Sequence, residues 1–333
     1  MRSRVWAGVR IAAGIAIVGV LAVRLGTGPF LSGVRSVSSG AMAAAFAIAV
    51  VTTMCCAWRW RLVARGLGVP LPFGAAVVAY YRSQFLNGAL PGGVVGDVHR
   101  GVRHGHASGD LGRGLRAVLW ERVAGQVVQV GVIVVVLSVL PSPVRGWSQA
   151  VLATAVVGVL AIRTAAPVLP RVRSQRCKRV WWTITREVRA GVADRAVLPG
   201  VVVTSVAAFI GHVATFLIAA RAVGVTESYS RLVPLAMFVL LAAAVPVNIG
   251  GWGPREGAAA WIFTAAGLGG SQGVAVGVAY GVMVTIASLP GAIVMLTNKP
   301  PRVARGEDSN RDPSRRDTQE RAELVPAGGV LDG

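Results

Sequence analysis

The stretch Asn87-Gly88-Ala89-Leu90-Pro91-Gly92-Gly93-Val94-Val95-Gly96-Asp97-Val98-His99-Arg100 decides how this chain is read. It has a counterpart in Pro246-Val247-Asn248-Ile249-Gly250-Gly251-Trp252-Gly253-Pro254-Arg255-Glu256-Gly257. Each follows an apolar run, breaks it with Gly and Pro, and ends in Gly, an acid and an Arg. Interrupted hydrophobic segments at corresponding places in two halves point to the binding site of a transporter.

Working outward, the chain around these breaks is that of a membrane protein. Of its 333 residues 54% are hydrophobic and 14% charged, and mean hydropathy is +0.61. Soluble domains carry roughly 25% charged residues. Apolar runs at about 5–23, 41–57, 117–140, 150–169, 198–220 and 273–296 approach or reach the length of about 20 residues that a helix needs to cross a bilayer. Stretches 74–90, 232–247 and 258–268 are ambiguous; the first and second end at the breaks and the third is too short to cross alone. The alternating ten-residue segments of an outer-membrane barrel are absent. The expected fold is all-α and polytopic, with about 6–8 transmembrane helices and one or two re-entrant segments. Two inverted repeats, about 5–140 and 150–296, would make a transmembrane domain over 1–298. Residues 299–333 lose apolar periodicity and read as a disordered tail. The apolar N-terminus lacks a good small-residue cleavage site, so it reads as an uncleaved first span, with a cleaved signal as the alternative.

The charge is lopsided, with 34 Lys+Arg against 14 Asp+Glu, a net of +20. No aromatic-plus-basic nucleic-acid module accompanies it, so no nucleic-acid partner is expected. The bases fall between apolar runs, where they set orientation and meet anionic headgroups. Arg59, Arg61 and Arg65 follow the second run, and Arg100, Arg103, Arg113 and Arg116 precede the third. A dense group fills 170–197, which reads as an interfacial amphipathic helix. This bias puts the N-terminus, the 170–197 loop and the C-terminal tail in the cytoplasm of a cell (inner or plasma) membrane protein. The loops on either side of segment 74–96 both carry a basic excess, so both should be cytoplasmic, as in a re-entrant hairpin. Whether the second broken segment also turns back stays open at this level.

Clustered Gly at Gly92, Gly93, Gly250 and Gly251 admits positive φ and bares backbone N–H groups. It reads as a phosphate cradle at membrane depth, or as loop and close helix packing. Arg is the bidentate ligand for phosphate, which makes Arg82, Arg100, Arg122 and Arg255 candidates; the other reading is charge that snorkels to water. Asn87 and Asn248 supply amides. Asp97, Glu121 and Glu256 would orient the arginines or take a co-transported proton. Arg122, Gln126 and Gln129 share a helix face, directed at a partner or a cavity. Tyr80 and Tyr81 suit an interfacial belt, and His212 suits a satisfied buried histidine. His99, His104 and His106 match no standard metal spacing and read as a solvated loop. Cys55, Cys56 and Cys177 form no metal or disulfide pattern. No cofactor, metal or catalytic residue is expected.

The run from Asn87 to Asp97 followed by Arg100, the Glu121-Arg122 pair with Gly125, the segment Pro246 to Gly257, and Leu289-Pro290-Gly291 together resemble the transmembrane flippase domain of lysylphosphatidylglycerol synthases and its stand-alone relatives. The resemblance covers about 5–296. Val247-Asn248 and Trp252-Gly253-Pro254 depart from it, and the family's cytoplasmic aminoacyltransferase domain is not found. The resemblance implies movement of a phosphate-headgroup lipid between leaflets, either an aminoacylated phospholipid or an isoprenoid-linked sugar. The alternatives are a membrane transferase using a lipid-phosphate donor and an accessory scaffold for envelope-polymer assembly. Expected partners are an anionic membrane lipid, with envelope-biosynthesis enzymes or a second copy of the chain as further candidates.

Overall fold

The computed structural model describes residues 23–90, 93–139, 175–244 and 252–297. The apolar runs at 5–23 (save its last residue) and 150–169, the residues Pro91, Gly92, Asn248, Gly250 and Gly251, and the tail 299–333 lie outside them. The described residues form helices and no strands: α1 (Gly28–Arg35), α2 (Ser39–Gly66), α3 (Phe73–Ala89), α4 (Val95–Ala107), α5 (Leu111–Val139), α6 (Gln175–Gly191), α7 (Leu198–Ala222), α8 (Tyr229–Ala243), α9 (Pro254–Ala265), α10 (Gly270–Ser288) and α11 (Pro290–Thr297).

Four of the helical stretches are long and apolar enough to cross a membrane: Ser39–Gly66, Leu111–Val139, Leu198–Ala222 and Gly270–Leu296. Their large apolar residues do not all turn inward. Val127, Val135, Val203, Ile210 and Ile293 are each more than half exposed. A soluble protein would bury such a belt, whereas lipid tails solvate it. The protein is a membrane-embedded, multi-helix protein.

Between the long helices sit two shorter pairs. Helix α3 has 17 residues and α4 has 13, about 26 Å and 20 Å at 1.5 Å per residue, each short of the roughly 30 Å hydrocarbon core. They run antiparallel. Tyr80 pairs with Arg100, Ser83 with Asp97, and Asn87 with Gly96, so the partners recede from the break in step. Gly96 lies against the Ser83 carbonyl, where any Cβ would collide. Helices α8 and α9 make the second pair. Arg231 donates to the Ala266 carbonyl at 3.2 Å, and nearer the break Phe238, Leu241, Ala258 and Trp261 border one groove, so these two helices also run antiparallel. Gly93 (φ 62°) and Gly253 (φ 117°) stand just before α4 and α9. Only glycine adopts such angles without strain, which is why each chain reversal is glycine-rich.

Helix α2 orders the two pairs. Its C-terminal end adjoins the open end of the first pair: Val69 receives a hydrogen bond from His104. Its N-terminal end adjoins the open end of the second: Ser38 and Ala41 border a groove with Arg221, Ala222 and Tyr229. The hairpin bases therefore lie at opposite ends of α2. The first pair packs on Cys56, Ala57, Trp60 and Ala117; the second packs on Phe209, Phe216, Val276 and Met283. At the end shared by α2 and the first pair, Glu187 of α6 accepts from Arg116 at 2.6 Å and from Trp120 at 2.9 Å, tying α6 to α5.

Three expectations need correction. Arg59 is not a loop residue: α2 continues to Gly66 and buries it, because an internal carboxylate compensates its charge. Tyr80 is not an interfacial belt residue but a 2% exposed interior one, drawn in by a hydrogen bond to that carboxylate. The histidines at 99, 104 and 106 sit on helix α4 rather than a solvated loop; His104 is buried edge-on to Trp60, with ring centroids 5.5 Å apart.

Candidate functional site

A carboxylate with no solvent exposure, Glu121 of α5, organises the first half. Its Oε1 accepts from Arg59 Nε at 2.9 Å and from Tyr80 Oη at 3.1 Å. Its Oε2 accepts from Arg100 Nη2 at 2.6 Å. Arg59 also donates to Ser205 of α7 at 3.1 Å, so one acid links α2, α3, α4, α5 and α7. Burying an ion costs several kcal/mol unless it is paired and hydrogen-bonded; Glu121 is fully engaged. Arg100 is sandwiched between Tyr80 and Trp60, at 4.3 and 4.7 Å from the ring centroids. The aromatic faces compensate its unpartnered Nη1.

Asp97 forms a second node at the start of α4. It accepts from Arg100 Nε at 3.0 Å, Arg122 Nη2 at 2.7 Å, Ser83 at 3.1 Å and Asn87 Nδ2 at 3.2 Å. The Asn87 side chain also accepts from the Gly96 N–H at 2.8 Å, which fixes the hairpin tip. Arg122 is held by this acid on one side only: its Nε has no partner and its side chain stays 41% exposed.

The second half repeats the chemistry with other residues. Glu256 accepts the Gly253 N–H at 2.7 Å, capping α9, and accepts Arg255 Nε at 2.8 Å. The Arg255 guanidinium lies over Gly281 of α10, where a Cβ would overlap it. Trp252 and Tyr280 flank it at 5.2 and 5.5 Å, and Tyr280 hydrogen-bonds His212 at 3.1 Å. Gly125 makes the same kind of room for Arg59 on α5.

Both halves border one cavity of about 320 Å³. The first break contributes Asn87, Gly88 and Gly93; the second contributes Arg255; Arg122, His212, Tyr80 and Cys56 add further charged and titratable groups. The α2 wall is Ala45, Ala49, Thr52, Thr53 and Cys56, the middle of that helix.

The residues singled out in the sequence divide accordingly. Asn87, Gly93, Arg122 and Arg255 line the cavity. Asp97 and Glu256 lie behind it and hold the lining arginines, and Arg100 joins Asp97 to Glu121 further back. Arg82 is on the opposite side of α3 from Tyr80, Gln84 and Asn87, close to Arg103 and His99. Gln126 is exposed and is not among the residues that line the cavity. Gly92, Asn248, Gly250 and Gly251 fall outside the described residues. Arg59, Ser205 and Tyr280 were not found from sequence. Arg59 is followed at once by Arg61 and Arg65, which made it look like the start of a basic loop; Ser205 and Tyr280 carry no local mark.

The fully buried acid under two arginines on separate helices stands in a Glu-Arg-x-x-Gly spacing from Glu121 to Gly125. The family described as the lysylphosphatidylglycerol synthase TM region matches residues 5–291. The chain belongs to this family. Neither a curated protein nor a solved structure gives a match. The family assignment makes this lysylphosphatidylglycerol synthase TM region a membrane, lipid-related domain, and its match spans both hairpins and the cavity between them.

Proposed function

We propose that the protein is a lipid flippase of the cell membrane that moves a phosphate-headgroup lipid between leaflets without changing it chemically. The observation that carries this reading is the convergence of Arg122 and Arg255, one from each half, on a single cavity bordered by the first hairpin tip. In this reading the hairpins are re-entrant and related as inverted repeats. Their bases at opposite ends of α2 support that, since two hairpins entering from opposite faces meet at mid-depth. Arg61, Arg65, Arg113 and Arg186 gather at the end shared by α2, the first pair and α6, and in this reading that end is the cytoplasmic one, as the positive-inside bias favours.

The headgroup phosphate enters between the tips and exchanges water for the two guanidinium groups. Asn87 and the α4 and α9 N-termini add N–H donors and a favourable helix dipole. The acyl or prenyl tails remain in lipid beside the exposed apolar belt. Asp97 and Glu256 hold the arginines in place, so the site is charged before substrate arrives. Purified protein in liposomes containing a headgroup-accessible fluorescent anionic phospholipid is expected to expose inner-leaflet label to an external quencher well above protein-free liposomes. A rate equal to that of protein-free liposomes contradicts the proposal.

A further inference from the structure

We infer that the cavity selects a headgroup with a single negative charge and neutral hydroxylated groups, and rejects one that carries an ammonium. This rests on the flippase reading for its location and adds the substrate class.

The first argument is charge. The two clusters bring together Arg59, Arg100, Arg122 and Arg255 against Glu121, Asp97 and Glu256, a surplus of one positive charge with His212 counted neutral. A single phosphodiester anion cancels that surplus. The second argument is where the acids are. All three carboxylates are behind the cavity wall, and every one of their oxygens already accepts a hydrogen bond. Glu121 is taken by Arg59, Tyr80 and Arg100. Asp97 is taken by Arg100, Arg122, Ser83 and Asn87, and Glu256 by Arg255 and the Gly253 N–H. Among the described residues no carboxylate lines the cavity. An ammonium placed there meets guanidinium groups and no free acceptor of opposite charge, and like charges in such a site are costly.

The remaining polar lining is neutral. Thr52, Thr53 and Gln84 stand on one wall and Thr215, Thr285 and Ser288 on the other. Thr52, Thr215 and Ser288 donate to carbonyls of their own helices, which leaves their oxygens as neutral acceptors for the hydroxyl groups of a glycerol or a sugar. Small residues, Ala45, Ala49 and Gly281, leave the room.

The shared chemistry, a monoanionic phosphodiester bearing neutral hydroxyls, has two sources: a glycerophospholipid, or an isoprenyl phosphate linked to a hexose. The test uses the full chain in nanodiscs of phosphatidylcholine, titrated with phosphatidylglycerol, lysyl-phosphatidylglycerol of the same acyl chains, or a prenyl phosphohexose, with bound lipid counted by native mass spectrometry. At least one of the two hydroxylated monoanions is expected to bind at least tenfold more tightly than lysyl-phosphatidylglycerol, and the tighter of them names the source. Arg122→Gln, which removes the surplus charge, is expected to bring the ratio close to one. Lysyl-phosphatidylglycerol binding as tightly as both, or no binding by any of them, overturns the inference. Translocation of the same lipids is read separately. Selective binding without translocation removes the flippase reading and leaves the selectivity; equal translocation and equal binding of all three do the reverse.

Discussion

Arg255→Ala is expected to abolish lipid movement while the protein still inserts and folds. Arg255 lines the cavity, and its guanidinium is held by Glu256 and spread over Gly281. Truncating one member of a buried charge pair at a binding site costs about 2–5 kcal/mol, so transport falls by about thirtyfold or more at 1.4 kcal/mol per factor of ten. The fold tolerates the change because Glu256 keeps the Gly253 N–H and lies in the first turn of α9, where the helix dipole favours a negative charge. Gly281→Val should reproduce the loss with Arg255 present, since its side chain would occupy the guanidinium's position. Initial flipping rates in liposomes, normalised to inserted protein, check both. Wild-type rates in either variant would remove Arg255 from the mechanism.

Glu121→Ala is expected to do something different: the protein fails to accumulate in folded form. Arg59 and Arg100 would keep their burial and lose their shared acid. Leaving buried charges uncompensated costs about 3–5 kcal/mol, a large share of the roughly 5–15 kcal/mol that holds a typical domain together. Glu121→Gln, which keeps an acceptor for Tyr80 but no charge, should lie between. Thermal unfolding in detergent, followed by size-exclusion chromatography, separates this outcome from that of Arg255→Ala. Equal melting of Glu121→Ala and wild type would show that the acid is not the organising centre.

The two breaks and the long helices were legible in the sequence because apolar length, Gly and Pro act locally. The shared cavity was legible only as an expectation: Arg122 and Arg255 stood out as charges beside apolar runs. The depth of Glu121 was not, since a Glu in the first turns of an apolar run looks the same whether it snorkels or anchors. Arg59 and Tyr80 close on it from 62 and 41 positions away, and Ser205 meets Arg59 from 146 positions away; no local pattern encodes that convergence. Arg82 shows the opposite error: its residue type and place fitted a ligand, but the helical rotation of α3 turns it from the cavity.

The most direct test is an experimental structure of the full chain in a nanodisc containing phosphatidylglycerol and a prenyl phosphohexose. The account predicts a lipid phosphate between the hairpin tips, within hydrogen-bond distance of Arg122 and Arg255 and below the level of the surrounding headgroups. Lipid phosphates confined to the two membrane surfaces, with Arg122 and Arg255 in separate compartments, would contradict it.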